Sequence, residues 1–247
     1  MEVHSHTHTA RKKWTHYFWE FLMLFLAVFC GFLAENQREH MVEHQREKKY
    51  INTLTADLKE DTATIRNVIS FCITKVHGMD TLTQLLNKDI LSIEEEKELY
   101  YLNSRYAASV LFMIFNERTI KQMLNSGNLR LVKQGTSDSI INYYGQTMDA
   151  IKGQEKVYDE MSKRLLFSSE DIFDRSAVLT KMNADNSFYK EIHPEKMKLI
   201  TKHKSVLRKY SQMILNARST LTNYIYMLFL MRKSGEKLLV FLEHEYK

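Results

Sequence analysis

Residues 200–242 read ITKHKSVLRKYSQMILNARSTLTNYIYMLFLMRKSGEKLLVFL and carry the most regular repeat in the chain. One set of positions recurs at alternating spacings of 3 and 4: Ile200, His203, Leu207, Tyr210, Ile214, Ala217, Leu221, Tyr224, Leu228, Met231, Gly235, Leu238 and Leu242. This spacing puts them on one face of an α-helix. Pro194 suits the first turn of such a helix. The sequence therefore predicts a long C-terminal helix that begins near Pro194 and is buried along one face.

Composition supports an all-α fold. The 247 residues include 1 Pro and 7 Gly, and such scarcity of helix breakers favours long helices over a sheet, which needs frequent turns. The content of 44% hydrophobic and 26% charged residues is typical of a packed protein and excludes general disorder. The net charge of +5 is spread along the chain, which argues against a nucleic-acid partner.

A second repeat predicts an N-terminal core helix. The repeat consists of Ile51, Leu54, Leu58, Ile65, Val68, Cys72, Val76, Met79 and Leu86. Asp61 interrupts it between Leu58 and Ile65. The first break is expected at 87–91, after which Ser92 and Glu95 form a candidate capping box that opens a second helix. That helix is expected to carry Leu99, Leu102, Tyr106 and the apolar run 110–115.

Shorter elements are expected between these helices and the C-terminal one. Asn116 is a candidate cap for a third helix that ends at Leu124, and Gly127 is expected in the left-handed position of its C-cap. A further helix is expected from Thr136 or Ser137, with the stripe Ile141, Tyr144, Met148, Ile151, Tyr158, Met161 and Leu165. Residues 176–193 show the weakest pattern and predict a loop.

Residues 17–34 read YFWEFLMLFLAVFCGFLA, with Glu20 as the only charged residue. A helix needs roughly 20 apolar residues, and at least about 17, to cross the hydrocarbon core of a bilayer. Trp14, Tyr17 and Trp19 stand at the N-terminal end of this segment, where an aromatic belt belongs. We therefore expect a single transmembrane helix.

Three other interpretations of this segment are open. A cleaved signal peptide needs small residues at the cleavage point, and Phe32 occupies one of those positions. A lipoprotein signal needs a small residue before Cys30, where Phe29 stands. A buried core helix this aromatic is unusual at the start of a soluble protein. An uncleaved anchor is the favoured interpretation.

Basic residues lie on both sides of the segment and separate the two orientations only weakly. They are Arg11, Lys12 and Lys13 before it, and Arg38, Arg46, Lys48 and Lys49 after it. Because short basic N-terminal tails usually stay in the cytoplasm, we expect a bacterial inner-membrane protein with its large domain on the periplasmic side.

One face of the predicted transmembrane helix carries mostly small residues, and we call it the small face. Glu20, Ala27, Gly31 and Ala34 fall within about 60° of one another at 100° per residue. Small residues spaced like Ala27 and Gly31 let two helix backbones approach closely in lipid. This face is a candidate for self-association or for docking onto another membrane protein.

The predicted organisation has four parts. A flexible His-rich tail at 1–16 precedes the transmembrane helix at 17–34. A charged helical stalk at 35–50 follows, and residues 51–247 form an elongated antiparallel helical bundle.

Two stretches are similar to a known family. They are KKWTHYFWEFLMLFLAV at 12–28 and MLNSGNLRLVKQG followed by INYY at 123–144. Together they resemble an uncharacterised family of single-span membrane proteins common in Bacteroidota, in which an N-terminal span precedes a helical domain with a similar Ser-Gly-Asn-Leu-Arg-Leu turn. The resemblance implies an architecture and no chemistry.

Several residues are of types that can carry chemistry. His40, Glu43 and His44 match the H-x-x-E-H string of inverted zinc proteases, but a solvated stalk face explains them better. The tail histidines His4, His6 and His8, with His16, could bind transition metals weakly. His203 is expected to be a core histidine, and Cys30 and Cys72 small hydrophobic residues. We assign no catalytic residue, metal or cofactor.

Two further features are candidates for partner contacts. Arg130 lies in an apolar turn, where it either pairs with a bundle carboxylate or contacts an anionic ligand or partner. Residues 224–231, YIYMLFLM, are apolar on every side and form either the buried middle of the bundle or a binding patch. Three functions follow as hypotheses: a self-associating scaffold or interaction protein, a ligand-sensing bundle that signals through a partner, and an accessory subunit of a pore or transporter.

Overall fold

The computed structural model describes residues 14–107, 113–184 and 187–246. This part of the chain is all-α apart from one small hairpin, which confirms the predicted fold class. Its internal contacts separate Met1–Tyr50 from Ile51–Lys247. The helices are α1 (Trp14–Leu86), α2 (Ile93–Leu102), α3 (Arg118–Asn125), α4 (Gln134–Ile141), α5 (Met148–Ser169) and α6 (Lys204–Glu245).

Helix α1 is 73 residues long and has a buried face from Ile51 onward. Most of the predicted stripe is buried, although Val68 and Val76 are half-buried while Ile69 and Lys75 face the core. The helix ends at Leu86, next to the predicted break.

The capping box that opens α2 is confirmed. The Ser92 hydroxyl accepts a hydrogen bond from the Glu95 amide at 3.2 Å, and the Glu95 carboxylate accepts one from the Ser92 amide at 2.9 Å. Helix α2 then passes into a π-helical turn, Asn103–Ala107.

The predicted course of the chain after this turn is wrong. Residues 110–112 of the expected apolar run lie outside the described part, and 113–117 are not helical. Asn116 does not cap α3, which begins after Glu117. Instead, the Asn116 amide and side chain both donate to buried Asp61, which holds the segment against α1.

The turn after α3 is as predicted, with Gly127 at φ 67°. A 3₁₀ turn, Asn128–Leu131, leads into α4, which begins two residues before Thr136. A second π-helical turn, Asn142–Thr147, joins α4 to α5.

This second π-helical turn corrects the predicted stripe. A π turn inserts one residue into the α-helical repeat, so the buried positions before it shift by one. Ile140 is therefore buried and Ile141 is exposed, while Tyr143 and Tyr144 are both buried.

The loop predicted at 176–193 is wrong. A 3₁₀ turn, Arg175–Ala177, leads into an antiparallel hairpin of β1 (Val178–Met182) and β2 (Phe188–Ile192), with Val178 opposite Ile192. Both strands contain β-branched or aromatic residues, which favour strands.

The start of the C-terminal helix also differs. Pro194 begins a short 3₁₀ turn, Pro194–Lys196, and α6 begins at Lys204. The intervening chain is held against the segment that follows α5, since the Ile200 amide donates to the Ile172 carbonyl at 2.9 Å. Ile200 is 60% exposed, and His203 is an exposed N-cap residue rather than a core histidine.

The rest of the predicted α6 stripe, from Leu207 to Leu242, is buried. Helix α6 packs along α5 and runs antiparallel to the second half of α1. Two contacts at opposite ends fix this direction: Asn87 donates to the Ser211 hydroxyl, and Lys59 pairs with Glu243. Between them Arg218 forms a two-pronged pair with Asp80.

Candidate functional site

The apolar segment 17–34 is solvent-exposed over nearly its whole length. It makes α1 the one described helix that is long and apolar enough to cross a membrane. Near its start the His16 ring lies 3.1 Å from the Glu20 carboxylate. The predicted small face is open, because a Cβ added at Gly31 would meet nothing within 4 Å.

The opposite face of this segment carries a ridge of phenylalanines that sequence reasoning missed. At 100° per residue its members lie within about 80° of one another, and they are Phe18, Phe21, Phe25, Phe29 and Phe32. The rings of Phe21 and Phe25 stack at 6.3 Å, and those of Phe25 and Phe29 at 5.9 Å. The segment therefore has the small face on one side and the phenylalanine ridge on the other.

Of the candidate metal ligands, His16, His40, Glu43 and His44 lie in the described part of the chain. His44 lies 3.3 Å from the Glu47 carboxylate. The described residues contain no group of three His, Cys, Asp or Glu side chains able to hold a metal ion. His4, His6 and His8 lie outside the described residues.

Arg130 lies exposed in the 3₁₀ turn that follows Gly127. Its amide donates to the Gly127 carbonyl at 3.4 Å, so the left-handed glycine sets the position of the arginine.

The apolar run 224–231 is buried in the bundle along one side and exposed along the other. Tyr224, Leu228 and Met231 are buried, and the Tyr224 hydroxyl donates to Glu155 at 2.6 Å. Three other side chains of the run face outward, with exposed fractions of 65% for Tyr226, 48% for Phe229 and 49% for Leu230. We call Tyr226, Phe229 and Leu230 the outer patch of α6.

A carboxylate is buried where α1 meets the segment 113–117. Asp61 is 1% exposed and accepts hydrogen bonds from the amide and side chain of Asn116 at 3.1 and 3.0 Å. Burial raises the pKa of Asp61 to about 6, against the opposing hydrogen bonds from Asn116. One turn earlier, Asp57 accepts a hydrogen bond from the Thr119 hydroxyl.

A lysine is buried about four turns further along α1. Lys75 is 0% exposed, and its ammonium lies 5.3 Å from the centre of the Tyr158 ring. Burial lowers the pKa of Lys75 to about 8. Asp61 and Lys75 are thus two core groups whose burial disfavours the charged form.

Two open cavities lie beside the π-helical turns. The first, of about 270 Å³, is lined by residues that include Tyr100, Asn103, Asp174 and Arg175. Its polar groups are largely engaged: the Tyr100 hydroxyl donates to the Lys198 carbonyl at 2.7 Å and accepts from the Asp174 amide at 2.9 Å.

The second cavity, of about 240 Å³, lies between the second π-helical turn and α6. It is lined by Ser139, Asn142, Ser234, Lys237, Leu238 and Phe241. Sequence reasoning missed this cavity, because nothing in the pattern of residues 134–148 signals a π turn.

Comparison with known proteins gives no relative: no protein-family model matches the chain, and neither a curated protein nor a solved structure is significantly similar to it.

Proposed function

We propose that this protein is a membrane-anchored helical scaffold or interaction protein, which self-associates or serves as an accessory subunit of a membrane complex. The observation that carries the proposal is the exposed apolar segment 17–34 in α1, the same helix that supplies a core face of the bundle. Exposed apolar surface of this extent is costly in water and favourable in lipid.

The two faces of the apolar segment support association within the membrane. Hydrophobic burial does not drive helices together in lipid, so close packing of backbones has to do so. The face of Glu20, Ala27, Gly31 and Ala34 permits that approach, and the phenylalanine ridge on the other side does not. We assign the small face to the partner helix and the ridge to lipid.

The outer patch of α6 supports a second contact, outside the membrane. Large exposed apolar side chains that cluster on one helix mark interaction surfaces more often than isolated ones do. Lys233 follows the patch by one turn and gives it a polar rim.

The location we propose is a bacterial inner membrane, with the bundle on the periplasmic side, on the basis of the basic residues Arg11, Lys12 and Lys13 before the apolar segment. The architecture agrees with the Bacteroidota family that the sequence resembles. A phosphatase reporter fused to the C-terminus tests the orientation: activity is expected, and fluorescence from a reporter that works only in the cytoplasm would reverse it.

Disulfide crosslinking tests self-association through the small face. In a Cys30→Ala background, Gly31→Cys should give a disulfide-linked dimer in native membranes under mild oxidation. Leu33→Cys is the matched control, since it lies at similar depth about 200° around the helix. A dimer from Leu33→Cys and none from Gly31→Cys would refute the assignment of the faces.

A ligand-sensing bundle is the second candidate, and the two cavities are the observation that favours it. A pore or transporter accessory is the third, for which Glu20 near the start of the apolar segment is the relevant feature.

A further inference from the structure

The polar groups that line the cavity beside the second π-helical turn can all donate hydrogen bonds, and they include the positive charge of Lys237. Lys237 contributes an ammonium, Asn142 an amide and Ser234 a hydroxyl, and the residues that line the cavity include no carboxylate. Ser139 already donates to the Gly135 carbonyl at 2.8 Å. In the described part of the chain, the side chains of Asn142, Ser234 and Lys237 make no hydrogen bond or ion pair, so their donors are available.

The packing of the fold brings these donors together. A Cβ added at Gly235 would lie 3.2 Å from the Tyr143 ring, so glycine at this position lets the ring approach the α6 backbone. The neighbours of these two residues in sequence, Ser234 and Asn142, are thereby placed side by side. Lys237 follows Ser234 by three residues and therefore shares its side of α6.

Neighbouring carboxylates are engaged elsewhere or lie outside the cavity. Glu236 pairs with Arg232 at 3.5 Å, and Glu245 pairs with Lys133 at 3.0 Å. Asp138 stands one turn before Asn142 on α4 and does not line the cavity. The positive charge of Lys237 therefore has no internal carboxylate to neutralise it there.

The remaining lining is apolar and the space is small. Leu238 and Phe241 form an apolar wall beside the donors. The volume of about 240 Å³ falls below the range of about 300–1,000 Å³ typical of pockets for drug-sized ligands. Such a site suits a single charged group with a short apolar attachment.

The geometry points to a binding site for a small organic anion, with its carboxylate or phosphate against Lys237, Asn142 and Ser234 and its apolar part against Leu238 and Phe241. The site is independent of the membrane anchor and of the outer patch of α6. Binding of a ligand at this site is compatible with each of the proposed functions.

The test is a titration of the detergent-purified full chain with small aromatic anions. Binding is measured by calorimetry and by the shift in the thermal unfolding midpoint. Benzoate and phenyl phosphate present the two anionic groups on the same apolar ring, and the tighter of them identifies the preferred head group. Benzyl alcohol and inorganic phosphate each lack one half of the ligand. We expect saturable binding of at least one aromatic anion, and binding of both half-ligands weaker by about tenfold or more.

Variants of exposed residues link the binding to this cavity. Lys237→Met should weaken binding about tenfold or more, because it removes a charge-assisted hydrogen bond and keeps the aliphatic stem. Asn142→Asp should abolish it by placing a carboxylate beside the anion. Lys233→Met, one turn away and outside the cavity, should bind like the wild type.

Three results would overturn the inference. One is the absence of saturable binding by either aromatic anion to the folded wild-type protein. Another is wild-type affinity in Lys237→Met and Asn142→Asp. The third is binding of inorganic phosphate as tight as that of phenyl phosphate, which would remove the role of the apolar wall.

Discussion

At the scale of single residues, the most informative positions are the two buried ionisable groups. Asp61 interrupts the apolar stripe of α1, and its burial follows from the hydrogen bonds that it accepts from Asn116. Lys75 was not on the predicted stripe at all. Its ammonium lies in the core over the Tyr158 ring rather than in water.

Asp61→Asn should stabilise the protein at pH 7. Its pKa of about 6 lies above the ordinary 3.8, so the folded state binds the proton more tightly and ionisation at pH 7 weakens the fold. Both short hydrogen bonds from Asn116 go to Oδ1, which an Asn side chain also offers. We expect the free energy of unfolding to rise by about 1–3 kcal/mol in chemical denaturation.

The pH dependence of this gain is its control. The gain should shrink as the pH falls from 6 towards 4, because Asp61 of the folded wild-type protein then becomes protonated and uncharged. Asp89→Asn, an exposed carboxylate at 97%, should change stability little at any pH. Loss of stability in Asp61→Asn at pH 7 would show that the charged carboxylate supports the fold.

Lys75→Met should also raise the thermal unfolding midpoint at pH 7. Burial lowers the pKa of Lys75 from 10.5 to about 8, so keeping the ammonium in the core at pH 7 weakens the fold, by up to about 3 kcal/mol. Wild-type stability should increase as the pH rises from 8 to 10.5, and the advantage of the variant should shrink over that range. Exposed Lys209→Met should be neutral; a lower midpoint for Lys75→Met would contradict this account.

At the scale of secondary-structure elements, periodicity predicted the long helices and failed at the connections. The α6 face from Leu207 to Leu242 and the capping box at Ser92 depend on local spacing, so one sequence is sufficient to predict them. The position of Ile141 depends on a π turn, and the start of α6 on a backbone contact between Ile200 and Ile172. Spacing along the chain carries neither kind of information.

Close packing between α1 and the first π-helical turn gives a prediction for the element scale. A Cβ added at Gly78 would overlap the Tyr106 ring, whereas one at Gly153 in α5 would meet nothing within 4 Å. Both glycines are inside helices, where alanine is favoured by about 1 kcal/mol.

Gly78→Ala should therefore destabilise the bundle by about 1–3 kcal/mol in urea unfolding, because overpacking exceeds the helix-propensity gain. Gly153→Ala should stabilise it by up to about 1 kcal/mol. Similar stabilisation in both variants would mean that Tyr106 moves aside at no cost, and that α1 does not pack closely on this turn.

At the scale of the whole molecule, the contacts that join α1 to α6 are far apart in sequence. The pair of Asp80 and Arg218 spans 138 positions, and either residue alone reads as a solvated charge. For the small face of the apolar segment, the sequence predicts the residues but not the surface that they contact. Its residues can be placed on a helix from sequence, but the surface that would cover them belongs to another molecule.

The mass of the detergent-purified full chain tests the central claim most directly. Light scattering that separates protein from detergent should give two or more times the chain mass of 29.3 kDa, or a stoichiometric complex with one other membrane protein. The first result supports a self-associating scaffold and the second an accessory subunit. A monodisperse particle of 29.3 kDa in mild detergent, free of any partner, would contradict both.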